Sequence, residues 1–330
     1  SIREVARVAG VSVATVSRAL SNPEKVSSES IKKVQDAIKK VQYRPNMLAR
    51  NFRSTRAYSI VVLVPDITNP FFSQVIRGIE ARAQQRGYAV LLGDTRDSAT
   101  REQEYIKLVE TRLSDGVIQF RPYSAGALTK DQKGIPYISA CGCESTPGPS
   151  VRIDNVEAAK TIVDYLISLG HRRIGVISGL KENPHTQDRL TGYMKSLTQA
   201  GIEFDEDLIA EGDFTMWSGL NTAPHFCKMK HRPTAIFCMN DEMAIGAMQA
   251  LKSQGVSVPK DISVTGFDDI PYARYCDPAL TTIAQPAEEM GKIAMDTLLK
   301  LIEGKTPDRV EYILPYEFVI RKSTAAPAKS

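Results

Sequence analysis

The stretch that decides the fold is Ile2-Arg-Glu-Val-Ala-Arg-Val-Ala-Gly-Val-Ser-Val-Ala-Thr-Val-Ser-Arg-Ala-Leu20. Its first half repeats apolar residues at helical spacing and predicts a short amphipathic helix. Gly10 is the residue type that commonly ends a helix, and Ser12 is suited to cap the next one. The stretch therefore predicts two helices that meet at a tight turn.

The second helix of this pair has two different faces. Val16, Ala19 and Leu20 are expected to pack inward against the first helix. The side chains left outside are small, hydroxylic or basic: Val13, Ala14, Thr15, Ser17 and Arg18. Short apolar groups can touch thymine methyls, hydroxyls can hold phosphates, and arginine can make a bidentate contact to guanine. This pattern favours a DNA-reading helix over its alternative, a helical hairpin in a protein–protein module.

A third helix and a basic segment follow the pair. Ser27 or Ser28 is expected to cap the third helix, whose apolar stripe runs from Ile31 to Val41. The segment from Pro45 to Arg53 is too short to be a stable helix alone and has few apolar groups to bury. It is expected either to order on a partner, with an apolar side chain wedged into a minor-groove base step, or to be a simple linker.

Charge separates this head from the rest of the chain. Residues 1–57 carry a net charge of +8, whereas the whole chain carries +4. The remainder is therefore slightly acidic. A basic head on an acidic body is typical of a polyanion-binding module, although charge alone is equally compatible with a solvated basic face.

Composition restricts the remaining classes of protein. A length of 330 residues suits two or three domains, and 42% hydrophobic residues suffice for sizeable cores. The five scattered cysteines suit a reducing compartment better than a disulfide framework, and Cys141-Gly-Cys143 lacks a second ligand pair at zinc spacing. No signal region or run of about 18 apolar residues is present. We expect a soluble, cytoplasmic protein that contacts no membrane and needs neither metal nor cofactor.

From Tyr58 onward the periodicity changes to alternating strands and helices. The run Ser59–Pro65 is rich in β-branched residues without alternation, as in a strand buried on both faces. Repetition of this βα pattern in two halves predicts an α/β fold with two doubly wound parallel-sheet lobes behind the helix-turn-helix head. The predicted division is a head at 1–43, a hinge at 44–57, a first lobe at 58–157 with 287–311, and a second lobe at 158–286 with 312–330.

Ligands bind at the carboxyl ends of strands in such lobes. The polar and aromatic residues expected near those ends form a candidate effector site: Phe71, Phe72, Arg189, Phe214, Asn240, Asp241, Asp268 and Gln285. Carboxylates, amides and an arginine beside aromatic faces suit a polyol with a flat or apolar side, so the expected small-molecule effector is a nucleoside or a sugar. For any single residue a plainer interpretation exists, because an Asp after a strand often caps a helix and a Phe often belongs to the core.

Catalysis is not predicted. The four histidines are dispersed, and none has a Ser or Cys partner at motif spacing. Neither a phosphate loop nor G-x-G-x-x-G after the first strand is present. A DNA-binding regulator is favoured over a solute carrier, which would need a signal peptide and no basic head, and over an enzyme, which only fold analogy supports.

The motifs in the head also resemble those of a known family. V-A-x-x-A-G-V-S-x-A-T-V-S-R-x-L, a V-S-x-x-S helix start and an R-P-N-x-x-A-R hinge resemble the lactose/galactose-repressor (LacI/GalR) family of bacterial transcription regulators. The resemblance spans the whole chain. It implies base-reading side chains at Val13, Ala14 and Arg18, and hinge contacts to DNA at Ala49, Phe52 and Arg53. Phe52 stands at a minor-groove lever position where many members have leucine.

The resemblance is closest to the cytidine-repressor branch. Val64-Pro-Asp-Ile67, Gly212-Asp-Phe-Thr215 and Thr281-Thr-Ile-Ala-Gln-Pro286 carry this closer likeness. It implies a homodimer on a palindromic operator, with a nucleoside effector, cytidine being favoured, that induces. It also implies a catabolite-type activator protein as a partner on DNA. The effector-site residues of the family match Arg189, Asn240 and Asp268 for hydroxyls, with Phe71, Phe72 and Phe214 around the ligand.

Overall fold

The computed structural model describes residues 1–21, 25–43, 56–121, 134–143, 146 and 148–328. The chain divides into two compact units, Ser1–Arg56 and Ala57–Ser330. Residues 44–55 of the predicted hinge, including Ala49, Phe52 and Arg53, lie outside the described residues.

The first unit contains three short helices around a small core. Helix α1 spans Ile2–Ala9, α2 spans Val13–Ser21 and α3 spans Ser28–Lys40. Gly10 ends α1 with φ of 65°, a left-handed conformation that glycine adopts without strain. The core that holds the helices together is made of small side chains: Val5, Ala6, Ala9, Val16, Val34 and Ala37.

The second unit begins with a lobe built on a parallel sheet. Its elements are β1 (Ser59–Val64), α4 (Pro70–Gln85), β2 (Ala89–Asp94), α5 (Ala99–Glu110), β3 (Val117–Gln119), β4 (Tyr137–Ala140) and β5 (Ser150–Ile153). Every residue of β1 is buried, because β1 lies between β2 and β3 and helices cover the sheet. The expectation of a strand buried on both faces is confirmed.

The second lobe repeats this arrangement. Its elements are α6 (Asn155–Ser168), β6 (Ile174–Ser178), α7 (Pro184–Gln199), β7 (Ile209–Glu211), α8 (Met216–Thr222), α9 (Pro224–Lys228), β8 (Ala235–Cys238), α10 (Asp241–Ser253) and β9 (Ser263–Thr265). The four strands form a parallel sheet in the order β7-β6-β8-β9. Strand order reverses beside the first strand of each lobe, and such switch points are where open α/β sheets bind ligands.

The chain then passes back through both lobes. The elements of this return are β10 (Thr282–Ala284), α11 (Ala287–Ile302), β11 (Glu311–Leu314) and β12 (Glu317–Val319). Strand β11 pairs with β5 and completes the first sheet in the order β11-β5-β4-β3-β1-β2, whereas β12 pairs with β10. The predicted division placed residues 312–330 in the second lobe. That boundary is corrected, since pairing with β5 keeps residues 312–314 in the first sheet.

Candidate functional site

Helix α2 presents the predicted DNA-reading face to solvent. Val13 is 42% exposed, and Ala14 and Arg18 are also exposed, while Val16 is fully buried in the core of the head. The structure thus places Val13, Ala14 and Arg18 on the outside of one helix. A helix that exposes small apolar side chains and an arginine has the chemistry to read base edges in a major groove.

Two other residues of α2 that are predicted to contact DNA are less exposed to solvent. Thr15 and Ser17 are half-buried. The amide of Thr15 donates to Oγ of Ser12 at 3.0 Å, and the two hydroxyls lie 2.9 Å apart. Ser12 therefore caps α2, and the hydroxyl of Thr15 is shared with that cap. Its contact to DNA remains a prediction.

A cavity lies in the second unit, at the carboxyl ends of the strands. The empty space within it, its open mouth included, is about 850 Å³. Seven of the eight predicted effector residues line it: Phe71, Phe72, Arg189, Phe214, Asn240, Asp268 and Gln285. The structure therefore brings together side chains that are up to 214 positions apart in the sequence, as strand-end positions predict.

A buried charged cluster stands on one wall of this cavity. Arg189 donates from Nε to Oδ1 of Asn155 at 3.1 Å, and its guanidinium lies 3.7 Å from the centre of the Phe267 ring. These contacts fix the guanidinium so that Nη2 lies 3.9 Å from Oδ1 of Asp268. Gln285 donates from Nε2 to the same oxygen at 2.6 Å.

The spacing within this cluster suits a hydroxyl group. At 3.9 Å the guanidinium and the carboxylate are too far apart for a direct hydrogen bond. Two hydrogen bonds of about 2.8 Å that meet at a right angle span about 4 Å. A ligand hydroxyl between the two groups can accept from Arg189 and donate to Asp268.

Burial changes the protonation of this wall. Burial raises the pKa of Asp268 to about 6, and Arg189 and Gln285 oppose that rise. Burial lowers the pKa of His185, another lining residue, to about 3, with Arg189 lowering it further. The imidazole of His185 is therefore neutral at physiological pH. The carboxylate of Asp268 is mostly charged at that pH, although its pKa lies only about one unit below it.

Several polar residues at the cavity also cap the starts of helices. The side chains of Asn69, Asn183 and Asn240 accept hydrogen bonds from amides at the starts of α4, α7 and α10. Asn240 also donates from Nδ2 to the carbonyl of Phe214 at 2.7 Å. Helix capping, the plainer interpretation of such residues, is thus present at Asn240. An amide proton of Asn240 beyond that bond remains available to a ligand.

Asp241 does not line the cavity, and its predicted effector contact is corrected. Its side chain is fully buried, where it accepts from Oγ1 of Thr282 at 2.6 Å and from the amide of Ile270 at 2.8 Å. Burial raises its pKa well above the ordinary value. Asp241 instead joins α10 to β10 and to the loop after β9, because it turns inward from the first position of the helix.

Aromatic rings supply the apolar part of the cavity. Phe72 packs between Phe71 and Phe120, with ring centres 5.6 and 5.4 Å away. Phe214 lies against Gly179, where a Cβ would approach its ring to 2.1 Å. Gly179 is required because it leaves the space that this ring occupies. The rings provide apolar faces on which a flat ligand can stack.

The backbone is strained at four lining residues. Asp97, Cys141, Phe214 and Asp268 all have positive φ, from 54° to 113°. Non-glycine residues rarely adopt such angles, and they tend to do so at binding sites. Sequence patterns carry little signal for this strain.

Sequence reasoning missed several lining residues. They include Asp97 and Arg121 after β2 and β3, Asn155 and His185 at the starts of α6 and α7, and Met290 on α11. One signal could have found His185: Asn183-Pro184 repeats the Asn69-Pro70 helix start of the first lobe, with Asn as cap and Pro in the first turn. That repeat marks corresponding ligand-side ends of the two lobes.

The described part of the chain offers neither a metal cluster nor a membrane-spanning helix. Among these residues, no group of three or more His, Cys, Asp or Glu side chains is placed to hold a metal ion. Over the same ranges, no helix has the length and apolar character needed to cross a bilayer.

Comparison with known proteins agrees with both units. Residues 1–46 match the bacterial regulatory proteins of the lacI family, and residues 163–324 match a periplasmic binding protein-like domain. The chain is 41% identical over 332 residues to the HTH-type transcriptional repressor CytR of Escherichia coli (strain K12), covering 99% of this chain and 96% of CytR. It is 34% identical to the HTH-type transcriptional repressor PurR of Photobacterium profundum, covering 98% of each chain.

A solved structure is also similar to this chain in its three-dimensional fold. The lac repressor dimer, bound to operator and the anti-inducer ONPF, matches with a TM-score of 0.89 at 29% identity. The match covers 99% of each chain. These relatives are repressors, not enzymes.

Proposed function

The chain belongs to the LacI family of bacterial transcription regulators and is a DNA-binding repressor, not an enzyme; we propose that it binds a palindromic operator as a homodimer and is released from it by a nucleoside. The observation that carries the proposal is the exposed face of α2, where Val13, Ala14 and Arg18 can meet DNA. The chain also contains a cavity suited to a small polyol.

The class of effector is argued from the cavity. The pair Arg189 and Asp268 is spaced for a hydroxyl, as ribose supplies, and Phe72 and Phe214 offer apolar faces to a base. Hydroxyl recognition and ring stacking in one cavity fit a nucleoside better than a plain hexose, which has no flat unsaturated ring. Likeness to CytR supports the same class, with cytidine the favoured member.

We propose a dimer because one helix-turn-helix head alone would bind a specific DNA sequence only weakly. A single small module buries too little surface for tight specific binding, whereas two heads read two half-sites. The hinge at 44–57 joins the head to the effector-binding unit in the chain, so a ligand-driven change in that unit alters the placement of the two hinge segments in the dimer. A catabolite-type activator on DNA is a further prediction from the resemblance, and a cytoplasmic location is a prediction from the composition of the chain.

Binding to duplex DNA at increasing salt tests the regulator proposal. Lys and Arg contacts to phosphates make the logarithm of affinity fall linearly with the logarithm of salt concentration. We expect a steep slope together with preference for one two-fold symmetric sequence, selected from a random library. Affinity that is indifferent to both salt and sequence contradicts the proposal.

A thermal-shift screen of free sugars and nucleosides tests the class of effector. A ligand that binds only the folded protein stabilises it by an amount that grows with the logarithm of ligand concentration. We expect stabilisation by cytidine and not by hexoses. Stabilisation by hexoses alone contradicts a nucleoside effector.

A further inference from the structure

The wall of the cavity in the first lobe carries a second charged cluster. Asp97 follows β2 and Arg121 follows β3, so adjoining strands β1, β2 and β3 bring them to one edge of the sheet. Nε of Arg121 lies 3.6 Å from Oδ1 of Asp97, and Nη1 of Arg121 lies 3.2 Å from Oε1 of Glu102. Asp97 and Arg121 both line the cavity.

Asp97 differs from the other carboxylates that line the cavity. Those of Asp66, Asp213 and Asp268 each receive a hydrogen bond from a protein side chain or amide. Within the described residues, neither oxygen of Asp97 accepts a hydrogen bond, and its contact with Arg121 is an ion pair beyond hydrogen-bond length. Asp97 thus retains its acceptor capacity for a ligand.

Asp97, whose side chain is 47% exposed, shares its neighbouring cation with another carboxylate. Glu102 is fully buried on α5 and shares Arg121 with Asp97, so one guanidinium faces two carboxylates. Burial raises the pKa of Asp97, Arg121 lowers it, and the charge of Asp66 raises it again. A hydrogen-bond donor on a ligand would stabilise this carboxylate, whereas a carbonyl or phosphate oxygen would be repelled.

The loop that carries Asp97 is held in an unusual conformation. Arg96 and Asp97 have φ of 49° and 54°, two successive non-glycine residues in the left-handed region. Arg96 donates to Asp94 at 3.1 Å, and the hydroxyl of Thr95 donates to the carbonyl of Val64 at 3.1 Å. The strained turn is therefore anchored by its neighbours, which is what a preorganised binding group requires.

We infer that Asp97 selects the base of the effector by accepting a hydrogen bond from an exocyclic amino group. The inference rests on the proposed nucleoside function and deepens it. Carboxylates accept from N4 of cytosine, whereas uracil presents a carbonyl oxygen at that position. Asp97 is thus a specificity-determining residue that favours amino-bearing bases over carbonyl-bearing ones.

Calorimetric titration of cytidine and uridine into the full-length protein tests this role. We expect the wild type to bind cytidine about tenfold or more tightly than uridine, since a charged hydrogen bond is lost and a repulsion gained. Asp97→Asn should bring the ratio close to one, because the amide can also donate to the carbonyl of uracil. Glu104→Gln, an exposed carboxylate-to-amide change on α5, should keep the wild-type ratio.

A ligand-side measurement avoids any effect of the substitution on folding. N4,N4-dimethylcytidine has no amino proton, so its affinity for the wild type should fall to about that of uridine or below. A wild-type ratio near one, or an unchanged ratio in Asp97→Asn, overturns the role of Asp97 while leaving a nucleoside effector in place. Failure of the wild type to bind any of the three nucleosides overturns the proposed effector class and the inference with it.

Discussion

Replacement of Asp268 by Asn tests most directly whether the cavity binds the proposed effector. The change keeps the size of the side chain and removes its charge. Asp268 is 7% exposed and lies 3.9 Å from the guanidinium of Arg189. A ligand hydroxyl that donates to this carboxylate would lose a charge-assisted hydrogen bond.

The size of the loss follows from the type of bond. Hydrogen bonds to charged groups contribute about 1.5–3 kcal/mol, which corresponds to a roughly 10- to 150-fold loss of effector affinity. Gln285 already donates a hydrogen bond to Oδ1 of Asp268. In the variant, the new side-chain NH2 group can face Nε2 of Gln285, so that two donors oppose each other. We therefore expect the effect to lie toward the upper end of that range.

The pH dependence of effector affinity provides a second test that is specific to the Asp268 carboxylate. Because the pKa of Asp268 is about 6, protonation below pH 6 removes its charge, and wild-type effector affinity should fall as the pH falls through 6. Asp268→Asn should lack this component. Glu242, whose pKa burial and the charge of Asp66 raise to about 7, titrates in both proteins, but Asp268 also raises this pKa, so the Glu242 step should move to lower pH in the variant.

The stability of the unliganded protein should change in the opposite direction. A buried acid with a raised pKa binds its proton more tightly in the folded than in the unfolded state, so the charged form is a cost at neutral pH. A rise from 3.8 to about 6 corresponds to at most about 3 kcal/mol. Wild type should gain stability relative to Asp268→Asn as the pH falls from 7 to 5.

Isothermal titration with cytidine and urea unfolding at pH 5, 6 and 7 measure both quantities. Equal effector affinity in wild type and Asp268→Asn at pH 7 would refute the assigned contact with the ligand. A parallel pH profile in the two proteins would refute the assignment of the titrating group to Asp268.

Three other substitutions probe the DNA contacts and the aromatic part of the cavity. Arg18→Ala should cost about 1–3 kcal/mol at one base position and relax specificity there; titration against operator variants would instead show uniform weakening if Arg18 touched only phosphate. Phe52→Ala should weaken specific binding and reduce DNA bending if this residue is a minor-groove wedge, and unchanged mobility of circularly permuted fragments speaks against a wedge. Gly179→Ala places a Cβ 2.1 Å from the Phe214 ring, so effector affinity should fall by about tenfold; an unchanged affinity would mean that the ring is not part of the site.

Much of the fold follows from local sequence patterns. The buried run at 59–64 and the turn at Gly10 could be predicted because each depends on residue type and spacing. The returning strands β10 to β12 were missed, since they are only three or four residues long. Their pairing partners are distant in sequence, and no short pattern encodes such contacts.

The residues of the candidate site also differ in whether local sequence patterns could predict them. The position of Asp268 and Asn240 at the cavity could be predicted because ligand cavities in such sheets lie at strand ends, whereas their contact with an effector stays a prediction. Asp241 was wrong for a local reason: the first residue of α10 turns inward to Thr282 and Ile270, contacts that arise only when β9 and β10 come together. Asp97 was missed because its exposure to the cavity depends on a turn with two positive φ angles.

Coupling between effector and operator is what would make this repressor responsive, and a linked titration measures it. Affinity for a labelled symmetric operator should be measured by fluorescence anisotropy with and without saturating cytidine, and cytidine affinity with and without operator. We predict that each ligand weakens the other by the same factor, about 5- to 150-fold. Operator affinity that does not change with cytidine, while cytidine binds the free protein, would contradict this coupling.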